Sequence, residues 1–286
     1  MKGVTCNNLG EPLGMGLWEG VPLRVLIWMT RPIENIRRVY YYGYHNDDPR
    51  DLFRSSLPIG RVLEDPPGEL PVILCYRLNG EFLTGRRGGP VRMIVPEAYG
   101  FKSVKWLRRI VLTNDYQAND TYALGNNDLD SPMKTFARFG QIPATARAGE
   151  PVPLSGVAQV GVSGLAAVQY WLQPEDEPLP PNDPYFASAD WRDAQILPPP
   201  THWGGGLPEG KLPGTPLYFD PATARPGHWP LRYTIAHWSA TVAGLAAGRY
   251  VMRCRAIDQN GIAQPMPRPF AKGGKTAIQE KTLTVA

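Results

Sequence analysis

Hydrophobic and aromatic runs in the first half of the chain alternate with turn signals, a pattern that predicts short strands. Residues 38–42 and 72–77 are rich in aromatic and β-branched residues, and each run predicts a strand. Asn79 and Gly80 follow the second run, and an Asn-Gly pair is the strongest short-range signal for a β-hairpin. Residues 91–95 predict a further strand, which the next residue, a proline, ends.

Residues 18–27 have a different pattern, in which a Trp-Glu-Gly turn signal leads into a largely apolar run. Pro22 lies near the start of that run. A proline is tolerated in the first turn of a helix because the first N–H groups of a helix have no partner within it. This segment therefore predicts a turn that enters a short helix, with Pro22 in the first helical turn.

The second half of the chain has strand-like alternation, and helical periodicity is scarce from Thr145 onward. Residues 249–258 alternate for most of their length. The apolar residues that share one face of this predicted strand are Tyr250, Met252, Cys254 and Ala256, whereas Arg253 and Arg255 lie on the other face. Runs of this kind, separated by turns such as residues 258–261, predict an immunoglobulin-like sandwich.

Proline is concentrated in residues 174–230, which contain 14 of the chain's 31 prolines. Proline lacks a backbone donor and disfavours central strands, so this segment is expected to be a long ordered insertion in the sandwich. Its aromatic residues, among them Trp191, Trp203, Tyr218 and Phe219, indicate that it packs against another part of the protein. A disordered linker is the alternative.

The length of 286 residues suits two domains of about 140 residues each. The change of pattern near Gly140 predicts a boundary there. We therefore expect an α+β protein, with a mixed α/β domain over residues 1–140. An all-β, immunoglobulin-like domain is expected over residues 141–286, with the Pro-rich insertion at 174–230.

Charge and hydropathy argue against several classes of protein. The net charge is +4 and the positive residues are scattered along the sequence, so no nucleic-acid partner is expected. No apolar run approaches the roughly 20 residues that a membrane-spanning helix needs. No export signal is visible at the start of the sequence.

The three cysteines are odd in number and far apart, so they do not predict a disulfide framework. Cys75 and Cys254 lie in apolar strand-like runs and are interpreted as small buried hydrophobic residues. Cys6 follows a strand-like Val-Thr pair and enters a polar turn, where a thiolate can be presented as a soft metal ligand. A structural cysteine is the alternative for Cys6.

A second group of polar residues consists of His45, Arg54, Ser55 and Ser56. An imidazole, a guanidinium and two hydroxyls are donors that can hold a phosphate or a polar heterocycle. The alternative is a polar surface loop.

A third group of residues, Gly100, Lys102, Ser103 and Lys105, follows the strand predicted at 91–95. Backbone N–H groups of a turn and two ammonium groups can converge on one anion, such as a phosphate. Neither a Walker loop nor a GxGxxG dinucleotide fingerprint occurs in the right context. A basic, solvated turn is the alternative.

The order of these motifs resembles the sulfite oxidase family of molybdopterin-dependent oxidoreductases. Residues 88–107, in which a strand ending in proline precedes Gly, basic residues and Val-Lys-Trp-Leu, are similar to the family's pterin-binding signature. Cys6 occupies the place of the cysteine that ligates molybdenum, and residues 18–23 match the segment that follows it. Residues 54–58 match a segment that helps to hold the pterin phosphate, and Tyr76 matches the family's active-site tyrosine.

The resemblance implies a sulfite oxidase fold, a molybdenum–molybdopterin cofactor and oxygen-atom transfer at a molybdenum–oxo centre. Cys6 would be the metal ligand, and Cys6 and Tyr76 would be catalytic; a half-buried strand tyrosine is the alternative for Tyr76. The residues that the resemblance assigns to cofactor binding are His45, Arg54, Ser55, Ser56, Gly100, Lys102, Ser103 and Lys105.

The resemblance also implies partners. The chain has no CxxCH haem motif, so its electrons would pass to a separate acceptor, such as a c-type cytochrome. The C-terminal sandwich would form a homodimer, as the corresponding domain of the family does. Bacterial members of the family are often exported, which makes a periplasmic location an expectation from the resemblance alone.

Two departures from the family affect these expectations. Members of the family carry a segment before the ligand cysteine, so the chain is expected to be N-terminally truncated relative to them. Residues 234–238 correspond to a segment in which sulfite oxidases have a substrate-binding arginine, and they contain none, which argues against sulfite as the substrate. Two alternatives stay open: a catalytically silent, cofactor-free chain, and a β-sandwich protein that binds a partner or a carbohydrate.

Overall fold

The computed structural model describes residues 1–45, 48, 50, 52–122, 128–204, 206–212, 216–265 and 274–286. It divides into two compact units. The first consists of Met1–Met133, Pro200–Gly227 and a short stretch ending at Lys275, and the second of Lys134–Pro199, His228–Arg268 and Thr276–Ala286. The first division lies at residue 133, before the predicted residue 140, because residues 136–139 form a strand that pairs within the second unit.

The Pro-rich segment is not a single insertion. Residues 192–196 form a strand of the second unit, whereas Pro200–Gly227 packs with the first unit. The Tyr218 hydroxyl donates a hydrogen bond of 3.1 Å to the Glu69 carbonyl there. The aromatic residues of the segment thus indicated packing correctly, but they did not indicate which part of the protein they would contact.

The described residues contain nineteen strands and two α-helices. The first unit begins with β1 (Lys2–Val4), β2 (Gly14–Gly16), β3 (Trp18–Pro22), α1 (Leu23–Met29), β4 (Arg38–Gly43), β5 (Arg54–Pro58), α2 (Ile59–Leu63), β6 (Ile73–Leu78), β7 (Glu81–Phe82), β8 (Arg92–Ile94) and β9 (Leu107–Thr113). The second unit continues with β10 (Phe136–Phe139), β11 (Thr145–Ala146), β12 (Val152–Gln159), β13 (Ala167–Pro174) and β14 (Arg192–Ile196). The first unit then adds β15 (Phe219–Asp220) and β16 (Arg225–Pro226), and the second ends with β17 (Ile235–Val242), β18 (Gly248–Ile257) and β19 (Gln279–Val285).

Two small antiparallel sheets form the centre of the first unit. In one, β6 pairs with β3, β7 and β8; in the other, β4 lies between β5 and β9. One hydrophobic core joins both sheets and the two helices, and its buried members include Leu23, Val39, Tyr41, Leu57, Val62, Leu74 and Met93.

The strands predicted for this unit at residues 38–42, 72–77 and 91–95 are confirmed as β4, β6 and β8, with small differences at their ends. The hairpin between β6 and β7 is also confirmed. Asn79 and Gly80 have φ angles of 55° and 84°, the left-handed values that a two-residue turn of this type requires.

The prediction for residues 18–27 was wrong in its first half. Residues 18–22 form β3, which pairs with β6, and α1 begins only at Leu23. Pro22 has φ −55° and ψ 130°, so its backbone is extended and it precedes the helix instead of lying in the first turn. None of the helices in the described part of the chain is long and apolar enough to cross a membrane.

The second unit contains eight of the strands and neither of the two α-helices of the described residues. Its eight strands are ordered β10-β12-β17-β14-β13-β18-β19-β11, and β14 pairs with both β17 and β13. One core takes buried residues from β12 and β17 and from β13, β18 and β19. The predicted inward face of β18 is confirmed, since Met252, Cys254 and Ala256 are buried in that core.

Candidate cofactor-binding site

A cavity of about 620 Å³ lies in the first unit. Its walls come from β1, β2 and the loop between them, from the segment after β8, and from residues close to the start of β5 and beyond β9. The residues that line it are Val4, Cys6, Leu13, Gly14, Met15, Gly16, Trp18, His45, Phe53, Leu78, Asn79, Arg87, Arg92, Gly100, Phe101, Ser103, Val104, Lys105, Trp106 and Tyr122.

Cys6 lies in this cavity, two residues after the end of β1, and is partly exposed. The Leu9 N–H donates to the Cys6 carbonyl at 3.1 Å and closes a turn, and Cys6 Sγ lies 4.0 Å from Asn7 Oδ1. Cys75 and Cys254 are fully buried, and burial raises the pKa of their thiols to about 11 and about 12. Those two cysteines are therefore protonated at neutral pH, and Cys6 is the one that can offer a sulfur ligand to the cavity.

Three cations, Arg87, Arg92 and Lys105, line the same cavity. Arg92 is nearly buried and donates to the carbonyls of Arg87 at 3.0 Å and Ser103 at 2.7 Å, and Lys105 Nζ donates to the carbonyl of Arg86 at 2.9 Å. Among the described residues, no carboxylate forms an ion pair with any of the three. Because Arg92 and Lys105 donate to neutral carbonyls, the cavity keeps an excess of positive charge.

The pKa values of two of these cations are lowered, as expected for a site whose positive charges lack an anion. Desolvation, followed by the like charges of Arg92, Arg87 and Arg86, lowers the pKa of Lys105. Desolvation also lowers the pKa of Arg92 to about 10, and its Nε is buried without a hydrogen-bond partner. A bound anion would reduce the repulsion between these groups and could accept a hydrogen bond from Arg92.

A row of rings, which we call the aromatic wall, forms another side of the cavity and consists of His45, Phe53, Tyr122 and Phe101. Successive ring centroids lie 6.0, 5.8 and 6.1 Å apart with edge-to-face geometry. The Phe53 N–H donates to His45 Nδ1 at 3.0 Å, so a neutral His45 carries its proton on Nε2. The wall offers apolar ring surface together with one imidazole donor.

Five of the predicted site residues share the cavity: Cys6, His45, Gly100, Ser103 and Lys105. The Gly100 N–H donates to the Thr5 carbonyl at 2.8 Å, which brings the turn beside the residue that precedes Cys6. The Ser103 hydroxyl accepts from the Val95 N–H at 3.2 Å. These contacts explain how distant parts of the sequence form one site.

Three predicted cofactor residues, Ser55, Ser56 and Lys102, are not part of the cavity lining and form a separate buried network. Lys102 Nζ lies 2.6 Å from Asp120 Oδ1, and the two serine hydroxyls donate to the same carboxylate. The structure thus does not place these three predicted residues among those that line the cavity. The reason is that β5 and the turn around Lys102 direct these side chains toward Asp120, whose charge needs partners once it is buried.

Arg54 and Tyr76 also lie outside the cavity lining. Arg54 is exposed, and its Nε donates to the Asn119 carbonyl at 2.8 Å. The Tyr76 hydroxyl donates to Glu19 Oε1 at 3.3 Å, and its ring lies 6.4 Å from that of Phe82. The structure therefore does not bring Arg54 or Tyr76 together with Cys6, because their side chains have partners elsewhere.

The lining residues that sequence reasoning did not single out as site residues include Arg87, Arg92, Trp18 and Asn79, as well as three rings of the aromatic wall. Arg92 had a detectable signal, since an arginine inside an otherwise apolar strand must find a polar partner. It lies over the Trp18 ring at 5.0 Å. Asn79 was noticed only as a turn residue, yet its Oδ1 also accepts from the Leu17 N–H at 2.9 Å.

Comparison with known proteins identifies the class of cofactor. Residues 4–121 match the family described as "Oxidoreductase molybdopterin binding domain". The chain is 28% identical over 260 residues to sulfite oxidase from Gallus gallus, an alignment covering 87% of this chain and 50% of that protein. It is 30% identical over 121 residues to a nitrate reductase [NADPH] from Beauveria bassiana, covering 42% of this chain and 13% of that protein.

A solved structure is similar in fold. The sulfane dehydrogenase SoxCD from Paracoccus pantotrophus aligns with a TM-score of 0.61 and 18% identity, covering 93% of this chain and 59% of that one. The chain thus spans half or less of the length of the two curated relatives. The resemblance drawn from the sequence motifs is confirmed: residues 4–121 match the molybdopterin-binding oxidoreductase domain, and the chain is similar to sulfite oxidase and nitrate reductase.

Proposed function

We propose that this chain is the cofactor-binding part of a molybdenum oxidoreductase in which Cys6 ligates the metal. The observation that carries the proposal is one cavity that combines a partly exposed thiol, three cations and an aromatic wall. Molybdopterin has matching parts, because it binds its metal through sulfur, has a flat heterocycle and ends in a phosphate.

The residues of the cavity fit each part of this cofactor. Arg87, Arg92 and Lys105 would hold the phosphate, and the buried Nε of Arg92 has no other hydrogen-bond partner. The aromatic wall and His45 would contact the heterocycle. Cys6 would supply a soft thiolate to the metal.

The protein's part in the reaction is to bind, orient and exclude water. When bound, the molybdenum–molybdopterin cofactor supplies two-electron chemistry coupled to transfer of an oxygen atom. Cys6 fixes the metal end, while the cations neutralise the phosphate end in a partly buried setting where charge interactions are strong. Phe101, Val104 and Leu78 supply apolar surface around the same cavity and limit the access of water.

We propose that electrons pass from this site to a separate acceptor, for which a c-type cytochrome is the candidate. Sulfite is not our proposed substrate, since residues 234–238 lack the arginine that sulfite oxidases have there. The substrate class is therefore best sought by screening the loaded protein against neutral oxides as well as oxyanions.

We further propose that the second unit is an immunoglobulin-like sandwich that forms a homodimer. The antiparallel pairs and the core shared by β12 and β17 with β13, β18 and β19 support the sandwich, and the homodimer is proposed from the family resemblance. An obligate interface should bury more than roughly 2,000 Å². Light scattering at micromolar concentration should give the mass of two chains, and a monomer would contradict the proposal.

The experiment for the cofactor proposal is the amount of molybdenum per chain, measured by elemental mass spectrometry. The protein should be produced in a host that makes the cofactor, with Cys6→Ser as the variant and Cys75→Ser as the matched control. We expect close to one atom per chain, lost in Cys6→Ser and retained in folded Cys75→Ser. Wild-type protein without molybdenum would contradict the proposal and favour a cofactor-free chain.

A further inference from the structure

A buried ion pair lies behind the part of the cavity wall that residues 100–106 form. Lys102 ends a 3-10 turn, Gly100–Lys102, and its side chain is fully buried. Lys102 Nζ donates to Asp120 Oδ1 at 2.6 Å and to the Ser56 carbonyl at 2.9 Å. The hydroxyls of Ser55 and Ser56 donate to the two oxygens of Asp120, which is equally inaccessible to solvent.

Lys102 and Asp120 are close in sequence to residues that line the cavity. Phe101 and Ser103 flank Lys102, and Tyr122 lies two residues after Asp120. The Tyr122 and Phe101 rings pack edge to face with centroids 6.1 Å apart. The ion pair therefore ties the turn that carries Phe101 to the segment that carries Tyr122, through groups that do not themselves line the cavity.

The same turn also contacts the strand that leads to Cys6. The Gly100 N–H donates to the Thr5 carbonyl at 2.8 Å, and a Cβ atom added at Gly100 would lie only 3.2 Å from that oxygen. At the other end of the turn, the Tyr41 hydroxyl donates to the Lys102 carbonyl at 2.9 Å. A displacement of the turn would therefore also move the residue before Cys6.

We propose that Lys102 and Asp120 form a positioning pair that sets the geometry of the cavity at Phe101, Tyr122 and Cys6 without contacting the cofactor. The part of this inference that concerns cofactor retention rests on the proposed function. The pair can fix the position of the turn because hydrogen bonds depend on direction. Asp120 accepts three hydrogen bonds from buried donors, and any shift of the turn would leave a buried charge without its partner. An apolar pair of the same size would impose no such requirement.

The test uses Asp120→Asn, which keeps the size of the side chain and removes its charge. The matched control is Asp65→Asn, because Asp65 accepts from Arg61 at 2.9 Å and from Arg24 in a part of the first unit outside the cavity lining. One readout is the rate at which molybdenum and pterin leave the loaded protein. The other is the rate at which Cys6 reacts with a thiol reagent in cofactor-free protein, where Cys75 and Cys254 are buried.

We expect Asp120→Asn to speed cofactor loss by about tenfold, which corresponds to about 1.4 kcal/mol. The Cys6 labelling rate should change by about threefold or more, with the control within about twofold of wild type. If both variants lose similar thermal stability and neither changes cofactor loss or Cys6 labelling, the pair is only structural and the inference is overturned. Wild-type protein that never binds molybdenum would contradict the proposed function instead, and the labelling readout would still test the pair.

A second variant covers the case in which Asp120→Asn does not fold. Ser56→Ala removes one hydrogen bond to Asp120, together with one that the hydroxyl accepts from Arg38, and leaves the ion pair intact. Its control is Thr30→Ala, which removes a hydroxyl bonded to the Ile27 carbonyl near the end of α1. We expect a change in the same direction of about threefold for Ser56→Ala. A folded Ser56→Ala that matches its control in both readouts would also overturn the inference.

Discussion

Two sets of cations in the first unit lie close together in sequence and differ in every other respect. Lys102 is fully buried and paired with a carboxylate, whereas Arg87, Arg92 and Lys105 line a cavity. Arg92 and Lys105 donate to backbone carbonyls there. Lys102 and Lys105 are three positions apart in sequence, yet one side chain is buried beside Asp120 and the other lines the cavity. The cation that already has an anion holds the fold, and those without one are available to hold a ligand.

This difference shows that the basic residues of one sequence motif cannot all be assigned to the same ligand. In Gly100–Lys102 and the residues that follow, the backbone turns so that Phe101, Ser103 and Lys105 line the cavity while Lys102 does not. Composition alone makes both lysines look like phosphate ligands. The presence or absence of a buried carboxylate decides between the two roles, and its position becomes visible only in the fold.

The strongest test of this difference is the stability of two matched variants. Lys102→Met should lower the free energy of unfolding by about 3–5 kcal/mol, because it leaves the buried Asp120 charge unpaired. Lys105→Met should have little effect or raise stability slightly, since it removes a charge that its like-charged neighbours repel. Urea unfolding followed by tryptophan fluorescence would measure the free energy of unfolding of both variants. An equal decrease in the two would show that Lys102 and Lys105 contribute equally to stability.

Lys2 is a third kind of cation, because it is buried but has no carboxylate partner among its described hydrogen bonds. The pH dependence of stability tests the effect of this difference. Lys2 is buried like Lys102, but its Nζ donates to neutral acceptors: the Pro96 carbonyl at 2.5 Å, the Ala98 carbonyl at 3.0 Å and Met133 Sδ at 3.1 Å. Desolvation lowers its pKa from 10.5 to about 7. The folded protein therefore releases this proton near neutral pH, while the unfolded chain keeps it up to about pH 10.5.

Between these two pH values the unfolded state binds one more proton, so the folded state gains stability as the pH rises. We expect wild type to gain up to about 1.4 kcal/mol per pH unit relative to Lys2→Met between pH 7 and pH 9. Thermal melts of both proteins at several pH values would measure the difference. A difference that stays constant over this range would mean that Lys2 remains charged in the folded protein.

The sequence predicted the strands of the first unit better than it predicted the roles of individual residues. The local signals for β4, β6, β8 and the Asn79–Gly80 hairpin were sufficient because aromatic and β-branched runs and Asn-Gly pairs act within a few residues. The extent of β3 was missed because pairing with β6 decides it, and that pairing joins residues more than fifty positions apart.

The same limit applies to the candidate site. Cys6, His45, Gly100, Ser103 and Lys105 were predicted from their motifs, and the structure places all five in the lining of one cavity. The network around Lys102 was not found, since nothing in the sequence near Asp120 indicates that its carboxylate is buried against residues 55, 56 and 102. Burial of a charge depends on tertiary contacts, which no local pattern records.

The smallest expected effect concerns the cavity cations alone. Lys105→Met should weaken cofactor binding by about tenfold, the consequence of losing one charge-assisted hydrogen bond to a phosphate. Arg109→Met is the matched control, because Arg109 is exposed and lies 4.3 Å over the Tyr42 ring, outside the cavity lining. Because a partly exposed charge is screened by salt, the difference between the two variants should shrink as ionic strength rises. Equal retention of molybdenum by Lys105→Met, Arg109→Met and wild type in low salt would show that the phosphate of the cofactor lies elsewhere. Lys105 would then differ from Lys102 in its environment but not in a role in ligand binding.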